Sequence, residues 1–286
     1  MRLLRIGAPG SERPCVLLED GTAVDVSAHV PDFGPNFFGD GGLDRLRALL
    51  DDGTDLPRVE LGDGIRVGSC VARPHKVICV GLNYSDHAAE SGMPIPTEPI
   101  IFFKATNAVV GPDDDVLLPR GSTKTDWEVE LAIVLGAPGR YLADEHAALA
   151  TVAGYAVAND VSEREFQLER GGQWVKGKSC ETFNPLGPWL VTADEVPDPQ
   201  ALSMTLDVNG ERRQTGSTAT MVFSVAHIVW YLSQFMVLEP GDVINTGTPP
   251  GVGMGQHPPV YLTDGDVMEL EIEGLGRQRQ VVRPAP

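Results

Sequence analysis

Short apolar runs, many of them alternating with polar residues, recur along most of this 286-residue chain. Gly, Pro, Asp and Asn separate the runs, and because these residues favour turns, each run is typical of a β-strand. The predicted strands cover residues 3–6, 15–18, 22–26, 76–80, 100–103, 128–135, 154–158, 188–192, 203–208 and 266–272.

Helical periodicity is clearest at residues 224–237. Val225, Val229 and Leu232 recur there at the spacing of one helix face. Ser224 is suited to cap the N-terminus of this helix. A second helix is predicted at residues 43–50, so helices are a minority beside the strands.

The elements together predict a mixed, β-rich α+β fold. Gly, Asp and Pro concentrate in a stretch between positions 52 and 74, which indicates loops and a domain boundary. We therefore expect a small β-rich N-terminal domain at residues 1–72 and a larger, catalytic domain at residues 73–286.

The net charge of the chain restricts the classes of partner that it can bind. There are 40 acidic and 22 basic residues, giving a net charge of -18, which disfavours nucleic acid and anionic membranes. No apolar run approaches the length of a membrane span, so we expect a soluble, cytoplasmic protein. An anionic substrate would need a local basic pocket.

Two carboxylates, Glu128 and Glu130, lie within the apolar run at residues 128–135. Alternate residues of a strand share one face, so both side chains would point into one site, where their repulsion favours protonation or a bound cation. The alternative is a solvent-facing stripe on an amphipathic strand, and these two residues by themselves favour that alternative.

A third carboxylate, Asp160, follows the predicted strand at residues 154–158. Carboxylates at strand ends often reach ligand sites. An all-oxygen set of Glu128, Glu130 and Asp160 would select Mg²⁺ or Mn²⁺, and would also admit Ca²⁺, over zinc. It would leave coordination positions for water or substrate, as in a catalytic site.

His87 and Glu90 are three residues apart in a segment predicted to form a short helical turn. That spacing places them on one face, where Glu90 could orient the imidazole of His87 to activate a water molecule. An exposed ion pair between the two is equally compatible with the sequence.

Three more polar residues follow Asp160. Arg164 and Gln167 are one turn apart, which suits them to a carboxylate or keto oxygen if the segment is helical. The alternative for Arg164 is pairing with surface acids. Lys178 is near enough in sequence to reach the same pocket, where it could stabilise an enolate.

A predicted strand runs into a glycine- and proline-rich loop at residues 241–253. The backbone N–H groups of this loop and the Thr248 hydroxyl could hold a substrate carboxylate. Proline stands where a helix would have to begin, so the segment is not a dinucleotide-binding motif. A structural loop without a ligand is the alternative.

Taken in order, these segments resemble the fumarylacetoacetate hydrolase family over residues from about 74 to 280. Each motif is weak alone, whereas the ordered set is specific. The resemblance is carried by Gly81-Leu82-Asn83-Tyr84 with His87 and Glu90, the strand Asp126-Trp127-Glu128-Val129-Glu130-Leu131, Asn159-Asp160 with Arg164 and Gln167, Gly177-Lys178-Ser179, and Gly241-Asp242 through Thr246-Gly247-Thr248-Pro249.

The resemblance implies a role for each candidate residue and a β roll or sandwich for the catalytic domain. It also implies a homodimer or a higher homo-oligomer. The implied roles are metal ligation by Glu128, Glu130 and Asp160, substrate binding by Arg164, Gln167 and Thr248, a general-base dyad of His87 and Glu90 on a lid, and Lys178 near the substrate oxygens.

The implied activity is metal-dependent hydrolysis of a C–C bond in a small anionic 2,4-diketo acid of the acylpyruvate type, giving pyruvate and a carboxylic acid. The string Gly171-Gly172-Gln173-Trp174 looks most like members that act on 2,4-diketo-3-deoxy sugar acids derived from rhamnonate or fuconate. The family also contains 2-oxo-acid decarboxylases and enol-keto isomerases, which are the first alternative. A noncatalytic metal- or ligand-binding protein is the second.

Overall fold

A computed structural model describes residues 1–62, 64–90 and 94–286, except for the side chains of residues 87–89. Its strands are β1 (Arg2–Ile6), β2 (Arg13–Leu17), β3 (Ala23–Asp25), β4 (Arg58–Val59), β5 (Val67–Gly68), β6 (Val77–Gly81), β7 (Ile100–Lys104), β8 (Val109–Val110), β9 (Val116–Leu118), β10 (Thr125–Asp126), β11 (Val129–Leu135), β12 (Val152–Asn159), β13 (Ser162–Glu163), β14 (Asn184–Thr192), β15 (Ser203–Val208), β16 (Glu211–Ser217), β17 (Val243–Asn245), β18 (Val267–Ile272) and β19 (Gly276–Pro284).

The helices are shorter and fewer than the strands. The α-helices are α1 (Pro35–Gly39), α2 (Gly42–Asp51), α3 (Ser85–Glu90), α4 (Glu145–Leu149), α5 (Val175–Lys178) and α6 (Val225–Ser233), with a π-helix at Glu165–Glu169 and 3₁₀ turns at Thr106–Ala108, Ala193–Glu195, Thr218–Thr220 and Gly253–Gly255. None of the described helices has the length and apolar character of a membrane span. The predicted β-rich α+β fold is confirmed.

The largest sheet has 12 strands, ordered β4-β3-β2-β1-β14-β12-β11-β17-β6-β7, with β5 beside β1 and β8 beside β14. Most neighbours are antiparallel, while β17 runs parallel to β6. The register aligns Glu130 of β11 with Ala158 of β12, and Ala132 with Asn245 of β17. Glu130 therefore lies on an inner strand of this sheet, and Glu128 and Asp160 lie at the adjoining ends of β11 and β12.

A second sheet, ordered β16-β15-β18-β19-β9, packs on one face of the first. Leu131 and Ile133 of β11 point into the core between the two sheets. Ala132 and Val134 point to the opposite face, where they pack with residues of the N-terminal segment such as Phe33. Because both faces are covered, every residue of β11 is buried, and a carboxylate there needs a polar partner.

The N-terminal segment continues the large sheet. Strand β1 pairs with β14 in the register Arg2↔Val191 and Leu3↔Leu190. The strands of residues 1–72 thus share a sheet with strands of the predicted catalytic domain, and the division at residue 72 stays a prediction.

The elements that differ from the sequence predictions include helix α6 and strands β13, β16 and β19. Helix α6 ends at Ser233, four residues before the predicted end, because Leu238 exchanges two backbone hydrogen bonds with Gly139 and draws the chain into a bridge. Strands β16 and β19 were not predicted, since glutamine and arginine occupy many of their positions. Residues 162–163 form strand β13 and not a helical turn.

Candidate metal centre and active site

The three predicted metal ligands converge. Strands β11 and β12 are antiparallel neighbours, and the Asp160 N–H donates to the Glu128 carbonyl oxygen at 2.9 Å, which extends their ladder past the strand ends. The side chains of Glu128, Glu130 and Asp160 share one face, and one carboxylate oxygen of each lies within 4.8 Å of the others. All three residues are buried, so the solvent-facing alternative is wrong.

Two buried lysines pair with this carboxylate cluster. Lys178 Nζ donates to Glu128 Oε2 at 2.6 Å and lies 3.0 Å from Asp160 Oδ2. Lys104 Nζ donates to Asp160 Oδ1 and to the Val161 carbonyl oxygen, the latter at 3.0 Å. The sequence predicted that Lys178 lies in the active site and made no prediction for Lys104. The position of Lys104 at the end of an apolar run was the feature that could have indicated its burial.

Arg164 joins the cluster from the side of the π-helix. Its Nε donates to Asp126 Oδ2 at 2.8 Å, and its Nη2 donates to Glu128 Oε1 at 2.7 Å. Its Nη1 donates to Gln167 Oε1 at 3.1 Å, so the two residues meet as their spacing predicted. Asp160 does not share a helix with them, because β13 intervenes. Asp126, fully buried, is a partner that the sequence did not reveal.

The surroundings of Glu128 and Glu130 shift the pKa values of these two carboxylates in opposite directions. Burial acts to raise the pKa of Glu128, but the charges of Lys178 and Arg164 outweigh it and lower that pKa to about 2. Burial and the negative charges of Asp160 and Glu128 raise the pKa of Glu130 well above its usual value. Among the described residues, no cation lies within ion-pair distance of Glu130.

The loop after β17 holds Glu130 by its backbone. The Gly247 N–H donates to Glu130 Oε2 at 2.7 Å. Gly247 has a φ of +99°, and a Cβ on it would lie 2.8 Å from the Cβ of Asn83, so glycine is required. The hydroxyl of the next residue, Thr248, donates to the Val129 carbonyl oxygen at 2.9 Å and accepts a hydrogen bond from Gln214.

The rest of this loop is anchored on carboxylates of the protein. The N–H groups of Gly253 and Met254 donate to Asp126 at 2.6 and 3.0 Å. The N–H of Gly251 lies 3.1 and 3.2 Å from the two carboxylate oxygens of Glu90. From the sequence we expect N–H groups of this loop to hold a substrate carboxylate, whereas the N–H groups of Gly251, Gly253 and Met254 bind carboxylates of the protein.

The predicted general-base dyad lies partly outside the described residues. The backbone of His87 belongs to α3, but its side chain is not among those described. Glu90, at the end of α3, reaches the Gly251 N–H, and its side chain lines the same cavity as the carboxylate cluster. The role of His87 stays a prediction.

A cavity of about 410 Å³ opens beside the cluster. The candidate residues that line it are Glu90, Glu128, Glu130, Arg164, Gln167, Lys178 and Thr248. A larger cavity of about 840 Å³ lies against α1 and α2, but its lining includes none of the candidate residues. The smaller cavity is therefore the candidate active site.

The residues present fit a divalent cation with oxygen ligands. Within the described part of the chain, Asp160 Oδ2 is buried and accepts no hydrogen bond, although Lys178 is close enough for an ion pair. The Gly247 N–H, at Oε2, is the hydrogen-bond donor that Glu130 finds among the same residues. A buried oxygen without a donor is costly unless a cation or another group completes its coordination, and carboxylates are the ligands that Mg²⁺ and Mn²⁺ prefer.

Comparison with known sequences identifies relatives along the whole chain. The family model described as fumarylacetoacetate (FAA) hydrolase C-terminal matches residues 76–283. A protein of Burkholderia multivorans, named only in general terms as a hydrolase, is 58% identical over 286 residues, and the match covers 100% of both chains.

Solved structures with the same fold include both hydrolases and an isomerase, and each match covers 100% of both chains. Fumarylacetoacetate hydrolase from Exiguobacterium antarcticum is 38% identical, with a TM-score of 0.86. Maleylpyruvate hydrolase from Sphingobium sp. SYK-6, in complex with manganese(II) and pyruvate, is 30% identical, with a TM-score of 0.82. The 5-carboxymethyl-2-hydroxymuconate delta-isomerase from Mycobacterium smegmatis is 33% identical, with a TM-score of 0.78.

Proposed function

The chain belongs to the fumarylacetoacetate hydrolase family, and we propose that it hydrolyses a carbon–carbon bond of an acylpyruvate-type 2,4-diketo acid, releasing pyruvate and a carboxylic acid. The observation that carries the proposal is the cluster of three buried carboxylates in the wall of the 410 Å³ cavity. The manganese(II) and pyruvate in the related maleylpyruvate hydrolase support the choice of metal and product.

Glu128, Glu130 and Asp160 are the residues that would hold Mg²⁺ or Mn²⁺. When bound, the ion would act as a Lewis acid on the 2-oxo and carboxylate oxygens of the substrate. The buried cations Lys104, Arg164 and Lys178 pair with carboxylates of this cluster, so a bound divalent ion would add positive charge that suits an anionic substrate.

Lys178 supplies a fixed positive charge at the reacting end of the substrate. Burial acts to lower its pKa, but the charges of Asp160 and Glu128 outweigh burial and raise that pKa, so the ammonium group is retained. When the bond between the substrate's third and fourth carbons breaks, its electron pair passes to the third carbon and the pyruvate oxygen. The Lys178 ammonium stabilises the resulting pyruvate enolate.

His87 is proposed to take the proton from a water molecule, with Glu90 orienting its ring. The water oxygen bonds to the fourth carbon of the substrate, the carbonyl carbon of the acyl group. The enolate then takes a proton at its third carbon to give pyruvate. Arg164 and Gln167 position Glu128 and complete the polar wall of the site.

Product analysis by NMR with acetylpyruvate tests this proposal. Protein stripped with EDTA should form no pyruvate or acetate, and added Mg²⁺ or Mn²⁺ should restore both products. The Glu130→Gln variant should lose most Mn²⁺ affinity by calorimetry, whereas Glu211→Gln, at an exposed residue, should bind like the natural protein. Full turnover in EDTA, or unchanged Mn²⁺ affinity of Glu130→Gln, would contradict the proposal.

Enol-keto isomerisation, or decarboxylation of a 2-oxo acid, is the second candidate. The related delta-isomerase supports isomerisation, and Lys178 would stabilise an enolate in either reaction. Neither reaction consumes water. In the same NMR samples, with oxaloacetate added, isomerisation would appear as exchange of tautomers and decarboxylation as release of CO₂. Neither reaction would give a second carboxylic acid.

A further inference from the structure

The walls of the active-site cavity indicate which acyl group the substrate carries. Resting on the proposed function, we propose that the substrate is an acylpyruvate with an uncharged, largely apolar acyl chain, and not a dicarboxylic or polyhydroxylated diketo acid. Much of the cavity wall is apolar and closely packed, and its lysine and arginine already have partners within the protein.

The apolar wall begins next to the carboxylate cluster and leads away from it. The Phe102 ring centroid is 5.0 Å from Lys178 Nζ, and the Trp174 ring packs edge-on against Phe102 with centroids 5.3 Å apart. The apolar side chains in the cavity wall include Leu82, Phe102, Leu168, Trp174, Val252 and Met254. A chain attached to a pyruvate group held at Lys178 would therefore lie along aromatic and aliphatic surface.

The position of Trp174 in this wall is fixed by close packing. A Cβ built on Gly81 would lie 2.6 Å from Cζ3 of the Trp174 indole. Glycine at the end of β6 thus leaves the space that the indole occupies, and Phe102 of β7 supports it from the side. The wall is part of the packed structure, so it selects ligands by shape as well as by polarity.

The cations in the cavity wall already have partners. Arg164 is bound to Asp126 and Glu128, and Lys178 is bound to Glu128 and Asp160. His257 is the remaining basic side chain among the described lining residues, and it is exposed. The side chains that the structure does not describe, at residues 63, 87–89 and 91–93, include no lysine or arginine, and His87 is the one basic residue among them.

A second carboxylate on the acyl chain would therefore enter an apolar wall with no lysine or arginine left to pair with it. Burying an unpaired charge is strongly unfavourable. The net charge of -18 adds long-range repulsion. The site should discriminate against dicarboxylic substrates.

Hydroxyl groups on the acyl chain would also find few partners. Besides the charged groups, the side chains with polar atoms in the described lining are Gln167, Trp174, Thr248 and the exposed His257. The Thr248 hydroxyl proton is directed to the Val129 carbonyl oxygen, and the Gln167 carbonyl oxygen accepts from Arg164. The lining thus disfavours the deoxy sugar acids that the resemblance of residues 171–174 suggested.

A matched pair of substrates tests the inference. Pentanoylpyruvate and glutarylpyruvate have acyl chains of equal carbon number, and only the latter has a second carboxylate. We expect kcat/KM to be at least about tenfold higher for pentanoylpyruvate, because the second carboxylate would lack a counter-ion. Equal values, or a preference for glutarylpyruvate, would overturn the inference while leaving the hydrolase proposal intact.

If neither compound is hydrolysed, binding decides the inference, and the hydrolase proposal fails if acetylpyruvate is not hydrolysed either. Calorimetry with the Mn²⁺-loaded protein compares 2-oxohexanoate with 2-oxoadipate, which differ only in the terminal carboxylate. Tighter binding of 2-oxohexanoate supports the inference. Equal or tighter binding of 2-oxoadipate overturns it.

Adding a cation to the wall provides the complementary test. Leu168 lines the cavity and is 43% exposed, so the fold should accommodate Leu168→Arg. The added cation should lower the ratio of kcat/KM for pentanoylpyruvate to that for glutarylpyruvate by at least about fivefold. Leu149, 42% exposed and outside the cavity, gives the matched control Leu149→Arg, with an unchanged preference. Met254→Lys places a cation elsewhere on the wall, and an unchanged preference in both cavity variants would overturn the inference.

Discussion

At the scale of single residues, the site is a set of buried charges that neutralise one another. Glu128 bonds to two cations and stays ionised, whereas Glu130 has a raised pKa and a backbone partner. This difference makes Glu130 the carboxylate with the most to gain from a metal ion. Charged groups at this depth would be unstable without such pairing.

Replacing Lys104 tests the importance of this charge balance. Lys104→Met leaves Asp160 with one cationic partner fewer, and we expect the metal-free protein to lose about 3 to 5 kcal/mol of unfolding free energy. Urea unfolding monitored by fluorescence measures the loss. The exposed pair between Lys124 and Glu169 gives the control Lys124→Met, which should change stability little. Equal stability of Lys104→Met and the natural protein would contradict the account.

The sequence predicted the three carboxylates and missed Lys104, which pairs with Asp160, and Asp126, which pairs with Arg164. The two-residue period of a strand placed Glu128 and Glu130 on one face, and Asp160 was found as a polar residue at a strand end. Lys104 and Asp126 also stand at the edges of apolar runs, but charged residues in such positions are commonly exposed. Only the packing of distant strands shows that these two are buried.

At the scale of elements, the segments that carry the polar side chains pack without spare space. Gly177 of α5 lies against the π-helix, and a Cβ on it would be 2.3 Å from the Glu163 carbonyl oxygen and 2.6 Å from the Gln167 nitrogen. Helix α5 carries Lys178, so the spacing of these two short elements sets the position of Lys178 relative to Gln167.

Gly177→Ala is therefore expected to displace α5 from the π-helix and to lower kcat/KM at least about tenfold, since small displacements of positioned groups are costly. Steady-state kinetics with acetylpyruvate measures the effect. Gly62→Ala is the control, because a Cβ on Gly62 meets nothing within 4 Å and Gly62 has no left-handed φ. Similar kinetics for both variants would show that this packing does not position Lys178.

Glu12 forms ion pairs with Arg5 and Arg66 beside strands β1 and β5. Glu12 accepts from Arg66 at 3.0 Å and from Arg5 at 3.4 Å. Burial acts to raise the pKa of Glu12, but its hydrogen bond to Arg66 and the charges of both arginines lower it below the ordinary 4.5. A lowered pKa means that the stabilisation is complete above the ordinary value and is lost as the pH falls through the lowered value.

Glu12→Gln should therefore reduce stability at pH 7 and reduce it much less in acid. Urea midpoints measured between pH 7 and pH 3 should fall more steeply for the natural protein than for the variant. Parallel curves would contradict the assignment of acid-sensitive stability to Glu12.

Elements were predicted well where apolar residues mark the core. Strands β11, β12 and β15 and the start of α6 follow the apolar pattern closely. Strand β19 was missed because its buried residues include Gln278 and Gln280, which bond to backbone carbonyls of neighbouring segments. Such polar burial has no signature in hydrophobic periodicity.

At the scale of the whole molecule, the predicted N-terminal domain and the active site share one sheet. Strand β1 pairs with β14, and β12 lies between β14 and the carboxylate strand β11. The sequence indicated a boundary near residue 72 by composition alone. It could not show this pairing, because β1 and β14 are far apart in the chain and periodicity does not encode strand partners.

This continuity predicts that residues 73–286 do not fold well alone. Without residues 1–72, the apolar face formed by Ala156, Leu186 and Leu190 would lose its cover of N-terminal side chains. We expect the expressed fragment to aggregate or to unfold without a cooperative transition, as measured by chromatography and thermal unfolding. A soluble fragment that unfolds cooperatively and binds Mn²⁺ would contradict this prediction.

The most direct test of the central claim is the fate of solvent oxygen during acetylpyruvate turnover. Reaction in H₂¹⁸O with Mg²⁺ or Mn²⁺ should give pyruvate and acetate in equal amounts, with one ¹⁸O from water incorporated into acetate during cleavage, and EDTA should abolish both products. Metal-dependent exchange of tautomers or loss of CO₂ without labelled acetate would contradict hydrolysis and assign the carboxylate cluster to enolate chemistry alone.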